Sequence, residues 1–201
     1  MKFNKKKIGI VLLALATVAL CIFGGYSLYR KNQEKKAKAL YNEVRLRLKS
    51  DDEEEKKEAI AKLKEIHQKY PKTKSGNQAL YDVGCTYYDA KEYRAAIEAF
   101  QESNYAEPSR QKRLGDCFYK LKEQEEALLH YQKVIDLPDT LGLRKDCLEN
   151  MVNIAKALKD ETKELEYLEL FCKDYSDGSV NSDFEHNYEI RKEALKAKRK
   201  S

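Results

Sequence analysis

Tryptophan is absent from this 201-residue chain, proline occurs 3 times and glycine 8 times. So few helix breakers, with abundant Ala, Leu, Glu and Lys, argue against a loop-rich or strand-rich fold and favour helix. No run of alternating β-branched residues marks a strand. Also absent are the Gly-rich loops that cradle phosphates, the H-E-x-x-H pair that holds zinc on one helical face, and the G-x-S-x-G nucleophile turn. His67, His130 and His186 stand apart from one another. No catalytic, metal-binding or cofactor-binding residue is therefore expected, and the many Asp and Glu side chains read as solvated helix faces.

Cysteine is present at five positions, but there is no C-x-x-C and no Cys/His grouping with zinc spacing. Cys21 sits in an apolar run. Cys85, Cys117, Cys147 and Cys172 each fall inside a helical pattern, where a single Cys usually behaves as a small buried hydrophobe. Disulfides are the other reading if the domain lies outside the cytoplasm. The net charge of +5 hides an asymmetry: Lys and Arg concentrate in residues 1–38 and 191–201, and the span between is net negative. A basic nucleic-acid-binding face is thus not a property of the central domain.

Ile8–Tyr29, IGIVLLALATVALCIFGGYSLY, is uncharged. As a helix it is about 33 Å long, close to the ~30 Å hydrocarbon core of a bilayer. Phe3, Tyr26 and Tyr29 suit the two interfaces. The run reads as an uncleaved transmembrane anchor. A cleaved signal would need a small-x-small site, and none follows. A lipoprotein signal would need a small residue before Cys21, where Leu20 stands and Ile22-Phe23 continue the run. Basic residues lie on both sides, so topology rests on the short basic N-terminus, which favours the domain lying outside.

The stretch VGCTYYDAKEYRAAIEAF, Val83–Phe100, is echoed 31 residues later by LGDCFYKLKEQEEALLHY, Leu114–Tyr131. Identities are few: Gly84/Gly115, Tyr88/Tyr119, Lys91/Lys122, Glu92/Glu123 and Ala96/Ala127. The remaining matches are of kind, such as Tyr87/Phe118 and Phe100/Tyr131. Each unit reads as two helices with a turn at the Lys. Leu80, Val83, Gly84 and Tyr87 share one helical face, and small residues at Gly84 and Ala96 allow close helix approach. The expected repeat core is Leu80, Val83, Gly84, Tyr87, Ala96 and Phe100, then Leu114, Gly115, Phe118, Ala127 and Tyr131.

These residues resemble the tetratricopeptide repeat, with Pro108 and Pro138 as the closing prolines. Gln111 departs from the pattern, standing where a bulky apolar residue is usual. Weaker units flank the clear pair. Ala59, Leu63, Ile66 and Pro71 match a second helix, with Leu40–Leu48 as its partner and Ser50-Asp-Asp-Glu53 as a capping box. On the other side Leu148, Met151, Val152, Ile154, Ala155 and Leu158 pair with Leu165, Leu168, Leu170 and Phe171 about a turn at Lys159-Asp160. Asp177-Gly178 breaks the chain, and Phe184–Lys200 reads as a polar terminal helix.

The resemblance implies an all-α solenoid of helical hairpins whose first helices line a protein-binding groove. Residues off the core stripe of those helices are then the candidates: Gln78, Tyr81, Asp82, Cys85, Tyr88 and Asp89, with Lys112, Asp116, Tyr119 and Lys120. Tyr81, Tyr88 and Tyr119 form a tyrosine line suited to binding; packing between helices is their other reading. Tyr81, Asp82 and Cys85 occupy places where a carboxylate clamp needs Lys or Asn, so binding of chaperone tails is not implied.

The expected organisation is a basic N-terminus (1–7), a transmembrane anchor (8–29), a basic juxtamembrane linker (30–39), a solenoid (40–178, clearest repeats 77–107 and 108–138) and a C-terminal helix with basic tail (179–201). This layout resembles bacterial envelope tetratricopeptide proteins, including the membrane-anchored one associated with the secretion translocon. It implies an interaction scaffold at the bacterial inner membrane, facing the periplasm. The implied partners are translocon or envelope-assembly components and client polypeptides, with no cofactor. An assembly lipoprotein or secreted adaptor, and a cytoplasm-facing organiser, are the alternatives.

Overall fold

The computed structural model describes the backbone of residues 5–139, 141–175 and 183–200; side chains are described at 15, 17–139, 141–175 and 186–199. Phe3, most of the first half of the apolar run and the Asp177-Gly178 break lie outside the described side chains. All described elements are helical: α1 (Lys5–Val44), a 3-10 turn (Arg45–Lys49), α2 (Glu53–Lys69), α3 (Lys74–Asp89), α4 (Tyr93–Glu102), α5 (Glu107–Lys120), α6 (Gln124–Ile135), α7 (Arg144–Leu158), α8 (Glu161–Tyr175) and α9 (Asp183–Lys200). Two compact units divide within α3, Met1–Val83 and Gly84–Ser201.

In the first unit, α1 runs unbroken for 40 residues. The span 30–39, expected as a linker, is therefore helix. Its lysines suggested solvation, yet at helical spacing they leave a stripe of Ala37, Tyr41 and Val44, all buried. Glu34 on the same helix caps α3: its carboxylate accepts from Lys74 N at 2.7 Å and from the Ser75 hydroxyl at 2.6 Å. An acid there satisfies amides that the first turn of α3 leaves open. Among the described residues no helix is long and apolar enough to cross a membrane. The large apolar side chains described in the expected anchor, Leu15, Val18, Leu20, Ile22, Phe23, Tyr26, Leu28 and Tyr29, are exposed.

Helix α2 starts two residues later than a capping box at Ser50 requires. Asp52 is the N-cap, its side chain accepting from Glu54 N and Glu55 N, while Ser50 Oγ donates to Glu55. A carboxylate next to the first turn outcompetes a hydroxyl two residues upstream. Ala59, Leu63 and Ile66 are buried, as their helical spacing requires. The α2–α3 turn is tied by Thr73, whose hydroxyl donates to Tyr70 O at 2.7 Å and accepts from Gly76 N at 3.0 Å. Only glycine fits at position 76, because a Cβ there would collide with the Tyr70 carbonyl.

The second unit shows why the repeats share so few residues. A Cβ built on Gly84 would lie 2.7 Å from Cε1 of Phe100, and one on Gly115 would lie 2.6 Å from Cε1 of Tyr131. Each repeat thus packs an aromatic ring directly against a helix backbone, and only glycine leaves room. Phe100, Tyr131, Ala96 and Ala127 have no exposed surface. Leu80, Val83, Leu114 and Phe118 are also buried, whereas Tyr87 is partly exposed.

The turns repeat as closely as the contacts. Lys91, Lys122 and Lys159 all adopt left-handed backbone, at φ 64, 62 and 57. In each, the amide of the following acid reaches back past the turn: Glu92 N to Tyr87 O, Glu123 N to Phe118 O and Asp160 N to Ala155 O. This is the hydrogen-bond pattern that closes a helix through one left-handed residue, usually Gly. Aligned on these lysines, the α7–α8 repeat has Val152 where Gly84 and Gly115 stand, and Leu168 where Phe100 and Tyr131 stand. Both are fully buried. A larger residue on one helix is matched by a smaller one on the other.

The same register puts Glu164 at the place of Ala96 and Ala127. Glu164 is 2% exposed. Its carboxylate accepts from Arg191 of α9 twice, at 2.8 Å and 2.9 Å. A charge can be buried there because a bidentate guanidinium meets it. The C-terminal helix is thus docked by a specific pair as well as by Tyr188 and Leu195, both buried. All five cysteines carry free thiols; Cys117, Cys147 and Cys172 are buried.

Two predictions follow from these contacts. Replacing Gly84 by Ala gains about 1 kcal/mol of helix propensity but forces the Phe100 ring away at a cost of about 1–3 kcal/mol. The expected net effect is loss of stability in urea unfolding, partly recovered in Gly84→Ala/Phe100→Leu. Arg191→Ala strands a buried carboxylate and is expected to cost roughly 2–3 kcal/mol. Glu164→Ala added to Arg191→Ala is expected to recover most of that loss; a double variant no more stable than Arg191→Ala would refute the pairing.

Candidate functional site

The candidate groove residues lie on α3 and α5, and the structure gives them different roles. In the first unit Gln78 and Tyr81 are partly buried. Asp82 accepts a hydrogen bond from the hydroxyl of buried Tyr41 at 2.5 Å. Burial holds the Asp82 carboxyl above the usual carboxylate range. This aspartate therefore ties α3 to α1.

In the second unit Tyr88 packs edge-on against Tyr93, with ring centroids 5.6 Å apart, and the Arg113 guanidinium lies 4.9 Å from its centroid. That is packing between helices, reinforced by a cation over the ring face. Asp116 is buried, accepting from the Tyr131 hydroxyl at 2.9 Å and from Lys112 Nζ at 3.1 Å. Its role is to satisfy a core phenol, and it presents little to solvent. Cys85 and Tyr119 are partly exposed, while Asp89 and Lys120 are exposed.

The structure also brings forward residues that were not candidates. Asn150 of α7 donates to the Tyr131 hydroxyl at 3.2 Å, and Asp146 lies 3.6 Å from Lys112 Nζ. The first helices α5 and α7 thus share a polar strip of Lys112, Asp116, Asp146 and Asn150, with exposed Asp146 and partly exposed Lys112 at its surface. A signal for Asn150 was in the repeat: Asp82, Arg113 and Asn150 precede Lys91, Lys122 and Lys159 by one common interval. Replacing Phe100 by its counterpart Tyr131 in the second repeat supplied the other signal, a hydroxyl that must find a partner.

Gln111, the departure from the repeat pattern, has a polar counterpart as well. Its side chain bonds Glu107 at 2.7 Å and the His130 ring at 2.6 Å. His130 stacks on Phe118 with centroids 5.3 Å apart and planes 8° from parallel. Burial, with Lys133 and Arg110 adding repulsion, pushes the imidazole down to about 4. Burial also pushes the Cys117 and Cys147 thiols up to about 12, so neither is a nucleophile near neutral pH. Among the described residues no group of His, Cys, Asp and Glu could hold a metal ion.

A family model described as a tetratricopeptide repeat-like domain matches residues 2–114, more than half of the chain. A second, described as a tetratricopeptide repeat, matches residues 113–140. No curated protein matches the chain.

The His130 geometry predicts a pH dependence. Its folded pKa is depressed, so the unfolded chain takes up the proton first as pH falls. The stability it contributes is present above about 6.5 and is lost as pH drops towards about 4. Between pH 7 and 5 the expected loss, discounted for solvent screening of this partly exposed ring, is at most about 1 kcal/mol. His130→Gln should flatten that part of the curve in denaturant unfolding; an unchanged slope would show that His130 is not held neutral.

Proposed function

The chain belongs to the tetratricopeptide repeat-like family, whose domains bind other proteins, and we propose that it is a scaffold anchored in the bacterial inner membrane by Ile8–Tyr29. The observation that carries this reading is the continuity of α1. The uncharged run passes without a break into the residues that pack the first unit, Ala37, Tyr41 and Val44. A repeat domain joined to the run by helix stays at the membrane surface, where translocon or envelope-assembly components and their client chains are met. The short basic N-terminus supports a domain facing the periplasm. The basic residues after Tyr29 favour the opposite side, so a cytoplasm-facing organiser is the second reading.

The binding surface of this scaffold is assigned to the outer parts of the first helices. In the second unit that means Tyr119 and Lys120 of α5, with Lys112 and Asp146 on the polar strip α5 shares with α7; Gln78 and Tyr81 of α3 belong to the first unit and are candidates there by themselves. Asp82, Tyr88 and Asp116 support the surface from behind.

Carbonate extraction and protease protection of native membranes test the anchoring. Retention of the chain in the pellet, with the domain digested only from the periplasmic side, is the expected result; digestion only from the cytoplasmic side reverses the topology. For the surface, Tyr119→Ala with Lys120→Glu is expected to lower crosslinking to membrane partners severalfold with unchanged melting. Tyr88→Ala is expected to lower the melting temperature instead. Equal crosslinking by the Tyr119/Lys120 variant would remove α5 from the binding surface.

A further inference from the structure

A cleft of about 240 Å³ opens in the first unit between α1 and the α2–α3 turn. Tyr26, Tyr29 and Arg30 line it from α1, and Lys69, Tyr70 and Lys72 line it from the other side. Three cations face the cleft and no carboxylate is among its lining residues. Arg30 is held in place by donating to Lys72 O at 2.9 Å, which uses part of a guanidinium fork with further donors. Lys69 lies 5.7 Å over the Tyr70 ring, so its charge is also positioned.

The cleft sits where the uncharged run ends. Arg30 is the first charged residue after it, and Tyr26 and Tyr29 are its last aromatic rings. Tyrosines of this kind favour the headgroup level, with the ring body in apolar surroundings and the hydroxyl in water. The helical face that carries Tyr26, Tyr29 and Arg30 continues towards the N-terminus as Ile22, Val18 and Leu15. These three side chains are 68%, 56% and 62% exposed. One face of α1 therefore offers a cationic cleft followed by an apolar track.

We propose that this cleft binds the phosphate headgroup of an anionic phospholipid, with the acyl chains lying along Leu15, Val18 and Ile22. The proposal rests on the anchoring of Ile8–Tyr29. A free phosphate would engage the cations alone, whereas a lipid joins the cleft to the apolar track that continues from it. Binding there would press the α2–α3 turn to the bilayer surface.

The full chain is reconstituted into vesicles of phosphatidylcholine containing a trace of photoactivatable phosphatidylglycerol or, separately, of photoactivatable phosphatidylcholine. Labelled peptides are identified by mass spectrometry after carbonate washing. Expected is preferential phosphatidylglycerol labelling of peptides containing residues 26–33 and 69–73. In Lys69→Gln/Lys72→Gln that preference should fall at least about fivefold, because each basic group near the surface adds to attraction for anionic lipid. Both lysines are exposed, so the variant keeps its fold, checked by its melting curve. Equal labelling by the two lipids in a carbonate-resistant chain overturns the lipid site and leaves the anchor standing. A preference unchanged in the variant also overturns it. Protection of the cleft by millimolar inorganic phosphate without any lipid preference identifies a free-anion site and overturns the lipid assignment. Release of the chain by carbonate defeats the anchor, and the lipid site with it.

Discussion

The contact between a glycine backbone and an aromatic ring determines most of the second unit. Gly84 under Phe100 and Gly115 under Tyr131 bring paired helices so close that the small residues Ala96 and Ala127 are forced at the next point of approach. The turn must then reverse the chain within one residue, which puts Lys91, Lys122 and Lys159 in left-handed backbone. A lysine there is strained relative to glycine, and it is tolerated because its neighbours' hydrogen bonds fix the turn. The α7–α8 repeat meets the same spacing by exchanging volumes, Val152 with Leu168. What is preserved is the summed size across the interface, which is why identity between repeats is low while geometry is not.

That distinction also explains what could be read from the chain. The all-α class, the hairpin turns and the buried apolar faces were legible because each depends on local spacing: Leu80, Val83, Leu114 and Phe118 follow a helical period, and the Lys91 and Lys122 turns lie 31 residues apart. The polar groups were less legible. Asp82 and Asp116 looked like exposed positions on first helices, yet each answers a buried tyrosine on another helix, Tyr41 and Tyr131. Gln111 looked like a flaw until His130 was placed beside it. Such pairs join residues whose separation carries no period. In the span 30–39 lysines dominate the composition, while Glu34 and Ala37 make contacts that composition does not reveal.

The first helix links two chemistries in a single element. From Ile8 to Tyr29 it is uncharged, with its large apolar side chains exposed where described; its C-terminal part packs a domain and caps α3. At the junction stand Tyr26, Tyr29 and Arg30. The sequence thus changes character within a few residues of one continuous helix.

The buried Glu164–Arg191 pair has a consequence for self-assembly. A solenoid end that shows small apolar residues can accept another hairpin, from a second copy as readily as from its own chain. Here the accepting position carries a carboxylate that demands a cation in a fixed orientation. Only a helix presenting an arginine at the right height closes that end without leaving a charge in the dark. The pair therefore selects α9 for this position by charge as well as by shape.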